Sequence, residues 1–167
     1  MAAAPARAQA HSLEYPVKAA FLYKFAPFVE WPPRAFDGDA SPLTICIVGH
    51  DPFGSTLDQV VAGQKLNHHP IVARRIDTIA AASPCQIAYF GGSKAQSVAE
   101  GLAAVRGAPV LTVTDQSMGS ARGAIHFVVH DNRVRFHIDD GAASRNGVTL
   151  SSKLMSLALT VKRRVRG

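Results

Sequence analysis

Large apolar side chains between residues 12 and 31 fall at Val17, Phe21, Phe25 and Phe28, spaced four, four and three apart. That spacing is one face of a helix. Pro16 suits a first turn, Pro27 disturbs the last one, and Pro32 drives Trp31 out of the α region and withdraws a donor. The predicted helix therefore stops at the chain's single tryptophan. A polar loop over 33–42 leads into Leu43-Thr-Ile-Cys-Ile-Val48, a β-branched run closed by Gly49 that reads as a buried strand. Residues 70–76, 86–90 and 110–114 read as three more strands. Between them, Ser55 with Asp58 resembles a capping box for a short helix through Ala62. Ser93 with Gln96 resembles a second, opening a helix that Gly107 closes.

The period then changes. AIHFVVHDNRVRFHID is two alternating runs about Asp131-Asn132, a two-residue hairpin turn, with 126 facing 137, 127 facing 136 and 129 facing 134. One face carries Ile125, Phe127, Val129, Val134, Phe136 and Ile138 and belongs on a core. The other carries His126, Val128, His130, Arg133, Arg135 and His137 and belongs in water or against a partner. Leu150, Leu154, Leu157 and Val161 mark an amphipathic C-terminal helix capped by Ser151 or Ser152. The expected architecture is α/β: a mixed β-sheet with parallel strand pairs plus an antiparallel hairpin, and helices packed on its faces. No internal repeat or second domain interrupts residues 12–167.

Composition and charge refine this picture. The chain is 47% apolar and 18% charged over 167 residues, which fits one globular domain and excludes a disordered chain or a coiled coil. The net charge of +6 is concentrated at Lys162, Arg163, Arg164 and Arg166. Cations there complement the negative end of a C-terminal helix, or attract an acidic partner or anionic lipid. Nucleic acid is not implied, because no aromatics interleave with the cluster. Residues 1–11 are set apart as a residual signal peptide or a disordered Ala/Pro tail. Ala8-Gln9-Ala10 has the A-x-A form cut on export, without the apolar segment that normally precedes it.

Candidate chemistry is sparse. His126, His130 and His137 share a face, but neighbouring arginines repel a cation and the spacing of a zinc site is missing. His68-His69 reads as loop. Gly91-Gly-Ser-Lys-Ala-Gln96 places glycines before a helix yet lacks the phosphate-loop ending. Asp51 and Asp115 stand alone at strand ends and read as caps or turn residues. No catalytic group, metal or cofactor is implied. Cys46 lies within the first strand and Cys85 just before the third. If those strands are neighbours the two are a buried thiol pair in a reducing compartment, or a disulfide worth about 4 kcal/mol in an oxidising one. Trp31 is a candidate interface anchor, since tryptophan is favoured at binding hot spots, or a lid over the core edge.

Six stretches, taken in order, resemble the YfiR family of bacterial periplasmic regulators. They are VKAAFLYKFAPFVEWP (17–32), LTICIVGHDPFG (43–54), CQIAYF (85–90), VLTVTD (110–115), the RGAIHFVV…VRFHID hairpin (122–139) and GVTLSSKLMSLA (147–158). The resemblance implies an exported, non-enzymatic homodimer that represses a membrane-bound diguanylate cyclase through its periplasmic sensor domain, with an outer-membrane lipoprotein relieving the repression. It implies a disulfide between Cys46 and Cys85, while a second pair found in the family has no counterpart here. Two further departures are Ala124 after Gly123, where the family has Gly-Gly, and Asp139 in place of Asn. Trp31, Arg133, Arg135 and His137 are the partner-binding candidates. The competing reading is a small-molecule-sensing domain with a pocket at the sheet's carboxyl edge, lined by residues 49–54 and 91–93.

Overall fold

The computed structural model describes residues 6–164, with side chains from Leu13 onward. The chain runs α1 (Ala6–Lys24), β1 (Val29–Glu30), β2 (Leu43–Gly49), α2 (Ser55–Val61), β3 (Lys65–Leu66), β4 (His69–Ile76), β5 (Ile87–Gly92), α3 (Val98–Ala104), β6 (Leu111–Asp115), β7 (Ile125–His130), β8 (Arg133–Asp139), α4 (Asp140–Arg145), β9 (Thr149–Leu150), α5 (Ser152–Leu157) and β10 (Thr160–Lys162). Eight strands form one mixed sheet in the order β10-β8-β7-β6-β5-β2-β4-β3, and β1 pairs with β9 in a separate antiparallel ribbon. The central pairs β4/β2, β2/β5, β5/β6 and β6/β7 are parallel, and β7/β8 is the antiparallel hairpin. The α/β class expected from the alternation is the observed one.

Both faces of the centre are covered, which is why β2 reads as an almost continuous apolar run and β6 is buried along its whole length. Ile45, Ile47, Ile87, Tyr89, Leu111, Val113, Ile125 and Phe127 join the larger core with α1, α2 and α5. Cys46, Val48, Ala88 and Phe90 point the other way and meet Val105, Val98 and Leu102 from the α3 region. The Cys46–Cys85 disulfide lies in this second core, its Cα atoms 5.8 Å apart and 39 residues apart in sequence. The hairpin register is the expected one, with His126 opposite His137 and Phe127 opposite Phe136. Asp131 and Asn132 take φ of 51° and 61°, as a two-residue turn matching strand twist requires.

Several local expectations are corrected. The first helix ends at Lys24, because the Pro27 ring cannot continue it; the chain tightens into a 3-10 turn over Ala26–Phe28. Pro16 sits inside α1, which begins earlier than expected, and residues 1–5 lie outside the described residues. Ser55 does not cap α2. Its N-cap is Gly54, and Asp58 pairs instead with Arg75 Nη1 at 2.7 Å. The second capping box is Ser97 with Glu100, four residues later than expected, since the Gln96 amide is drawn off to bond both the N–H and the carbonyl of Ile79.

The C-terminal helix also stops early, at Leu157, under its Ser151 cap. Val161 and Lys162 lie on β10, parallel to β8, so the basic cluster follows a strand and does not neutralise a helix end. Arg166 lies outside the described residues. On the hairpin, Val129 at the tip is 44% exposed, whereas His126 and Val128 on the supposed solvent face are buried. Position along the strand, relative to the neighbouring β6, overrides the two-residue period there.

Closing a 39-residue loop implies about 4 kcal/mol of stabilisation. Denaturant unfolding of a Cys46→Ala/Cys85→Ala variant is expected to show a loss of that order, matched by wild type under reductant. A loss below about 1 kcal/mol would contradict it.

Candidate functional site

The buried stripe of α1 is Glu14, Lys18, Ala19 and Leu22, continued by Phe25 just past its end, not the more apolar stripe through Val17. Lys18 is 1% exposed. Its Nζ lies 2.8 Å from Asp115 Oδ2 at the carboxyl end of β6 and 2.5 Å from Glu14 Oε2 one turn back. Tyr89 on β5 donates its hydroxyl to the same Asp115 oxygen at 2.8 Å, and the Ser117 N–H donates to the other at 3.0 Å. Tyr15 places its ring 4.7 Å from the ammonium and donates its hydroxyl to Ser117 Oγ. Phe53 meets both Tyr15 and Tyr89 edge-on.

Burial by itself would raise the Asp115 pKa, but Lys18, the Ser117 N–H and the Tyr89 hydroxyl together hold the carboxyl below its ordinary value. Burial, then the Asp115 charge, pushes the Tyr89 phenol up. An ammonium, a carboxylate and a phenol therefore converge, but nothing reaches them while α1 is seated. Their chemical effect is to anchor α1 on the sheet at a fixed rotation. That rotation leaves Leu13 61% and Val17 40% exposed, and packs Phe21 and Phe25 against Phe127 and Phe136 of the hairpin, edge-on to Phe136. Glu14 and Lys18, at i and i+4 on one side of α1, were the only sequence signal for this cluster. Nothing local pointed to Asp115, 97 residues on.

The remaining candidates are dispersed. Trp31 is half-buried, packs edge-on against Phe36 and donates its indole N–H to the Gln86 carbonyl at 2.9 Å. Gln86 is a hub at the sheet's amino edge. Its amide accepts from Thr44 N at 2.6 Å and donates to Ala35 O at 2.5 Å. Arg133, Arg135 and His137 lie on the hairpin, whose tip is at the opposite edge, so Trp31 and these three are not brought together. Arg133 is exposed, Arg135 half-buried, and the His137 ring bonds Thr160 Oγ1 at 2.6 Å.

His126 is buried, with its Nδ1 2.7 Å from Thr114 Oγ1. Burial first, then Arg122, with smaller effects from His137 and Lys18, pushes it down to about 4 against the opposing pull of Asp115. His130 pairs with Asp131 at 3.4 Å. The three histidines thus have separate partners, and among the described residues no group of three or more His, Cys, Asp or Glu is placed to hold a metal ion.

The loops expected to open a pocket are closed on each other. His50 N donates to Gly92 O at 2.9 Å, and a Cβ on Gly49 would lie 2.3 Å from that same oxygen. Space is found instead at the amino edge, in a cavity of about 510 Å³ beside Cys85, bordered by Arg34, Arg74 and Gln86.

A family model described as YfiR/HmsC-like matches residues 15–159, and the chain belongs to that family. The family is one of periplasmic regulators and not of known enzymes. No curated protein matches the chain in a sequence search. No helix among the described residues is long and apolar enough to cross a membrane.

Removing one member of a buried ion pair leaves the other desolvated and alone. Lys18→Met is expected to cost about 3 kcal/mol or more in chemical denaturation, and Lys18→Met/Asp115→Leu clearly less than Lys18→Met alone. A single-variant loss under about 1 kcal/mol would show that the pair is no anchor. His126 gives a separate test. Its folded pKa is depressed, so the unfolded chain binds more protons between about 4 and about 6.5, and stability is lost as pH falls through that window. The thermal midpoint of wild type is expected to drop across it, and that of His126→Gln to drop less. Equal slopes would refute the buried neutral imidazole.

Proposed function

We propose that this chain is a periplasmic regulatory protein that binds the periplasmic sensor domain of a membrane-bound diguanylate cyclase and represses it, thereby controlling cyclic-di-GMP signalling. The observation that carries the reading is the family match across residues 15–159. The mechanism is occupancy. Preferential binding to the sensor's inactive conformation shifts the cyclase toward that state by the ratio of the two affinities.

The surface best suited to the task lies at the carboxyl end of the sheet. Leu13 and Val17, next to the Lys18–Asp115 contact at the end of β6, are exposed there, as is Val129 near the hairpin turn. Exposed apolar side chains grouped at one end of a domain suit a protein partner. Arg133 and Arg135 supply a cationic rim, which sets orientation and association rate more than affinity. His137, tied to Thr160, extends that rim. Trp31 serves this reading from a distance: with its indole N–H committed to Gln86, it steadies the amino edge and meets partner only with its ring. A second copy of the chain and a lipoprotein that lifts the repression complete the proposed circuit.

The test is co-purification of the exported chain with the periplasmic domain of a cyclase encoded beside it. Val17→Asp/Val129→Asp is expected to weaken the complex at least about ten-fold while leaving the thermal midpoint close to wild type, since both side chains already face water. Failure to form any complex, or a complex indifferent to these changes, would remove this assignment.

A further inference from the structure

A groove of about 280 Å³ lies between α3 and α4, floored by the segment that leads into β7. Three arginines border it: Arg106 just past α3, Arg122 before β7, and Arg145 at the last position of α4. No carboxylate lines it. The acids nearby are already committed. Glu100 accepts from the Ser97 N–H, Asp139 accepts from the Ala142 N–H, and Asp140 lies 3.9 Å from Arg164. Among the described residues, none of the three guanidiniums has an ion-pair partner.

The bland explanation for two of them is the negative end of a helix, which favours a cation. That effect is about half a charge per helix at most, against a full charge on each guanidinium. The charge of Arg122 reaches two histidines nearby. His126 and His137 are lowered first by burial and next by Arg122. Between the arginines the groove wall is short and apolar, with Ala103, Ala121 and Ala142 leaving room for an organic group.

We propose that this groove binds a soluble phosphate monoester, with the phosphate held by Arg106, Arg122 and Arg145 and its organic part against the alanine wall. A guanidinium presents paired donors in a fixed fork that matches phosphate and carboxylate oxygens. Three guanidiniums bordering one groove offer more donors than the two oxygens of a carboxylate can accept. The three terminal oxygens and double charge of a phosphate monoester suit them better. The volume is at the lower limit of small-molecule pockets, which restricts the ligand to a compact one. The proposal goes beyond the regulatory reading and needs no partner protein.

Isothermal titration of the full chain with glycerol 3-phosphate, inorganic phosphate and succinate, at about 150 mM salt, tests it. Glycerol 3-phosphate is expected to bind most tightly and succinate weakest. Arg106→Gln, Arg122→Gln and Arg145→Gln should each weaken glycerol 3-phosphate about ten-fold or more, while Arg34→Gln in the amino-edge cavity leaves it unchanged. All four side chains are exposed, so the variants should fold, and circular dichroism verifies it. No heat with either phosphate, succinate binding as tightly, or an equal loss in Arg34→Gln would overturn the assignment. So would binding confined to phosphatidate-containing vesicles. Because no cyclase is present, none of these outcomes bears on the repressor reading.

Discussion

One buried contact sets how this molecule meets its surroundings: the Lys18 ammonium against the Asp115 carboxylate, 2.8 Å apart and nearly free of solvent. A charge out of water is tolerated only when an opposite charge and further hydrogen bonds replace its hydration. Glu14, Tyr89 and Ser117 supply those bonds. A helix held only by apolar side chains can roll by a fraction of a turn at modest cost. One pinned by a desolvated ion pair cannot. The pair therefore decides which side of α1 faces inward, and so why Val17 and Leu13 face out.

The opposite edge of the sheet is held differently. Gln86 bonds three chain segments through its side chain and backbone, and Trp31 closes over it. Beside it the disulfide joins the residue two before β5 to the middle of β2 within the second core. At the carboxyl edge, where parallel sheets of this topology often leave a crevice, the glycines that end β2 and β5 bring backbone against backbone. A Cβ at Gly49 or Gly91 would collide with a carbonyl, so these positions serve close packing and not ligand access. Open space falls elsewhere: beside Cys85, and between α3 and α4.

Reading from residues to structure succeeds or fails according to the range of the forces involved. The parallel core strands were legible because burial on both sides imposes uninterrupted β-branched runs, as in Leu43–Gly49. The hairpin was legible because Asp-Asn at its turn and a strict two-residue period specify register locally. The Cys46–Cys85 bridge followed from the resemblance and from two cysteines near adjacent strands. Helix ends were less accessible. Ser93 and Ser97 are equally good caps by type, and only the demand of the Ile79 backbone for the Gln96 amide separates them.

The amino-acid sequence by itself determined the α/β class, the hairpin, the candidate disulfide and the family, because each is written in neighbouring residues or in their order. Tertiary structure decided the rotation of α1, the burial of His126, the closure of the carboxyl-edge loops and the gathering of Arg106, Arg122 and Arg145 around one groove. The physical reason is separation along the chain. Lys18 finds its partner 97 residues away, and a charge on an amphipathic helix reads as a surface residue until the opposing charge is seen beneath it.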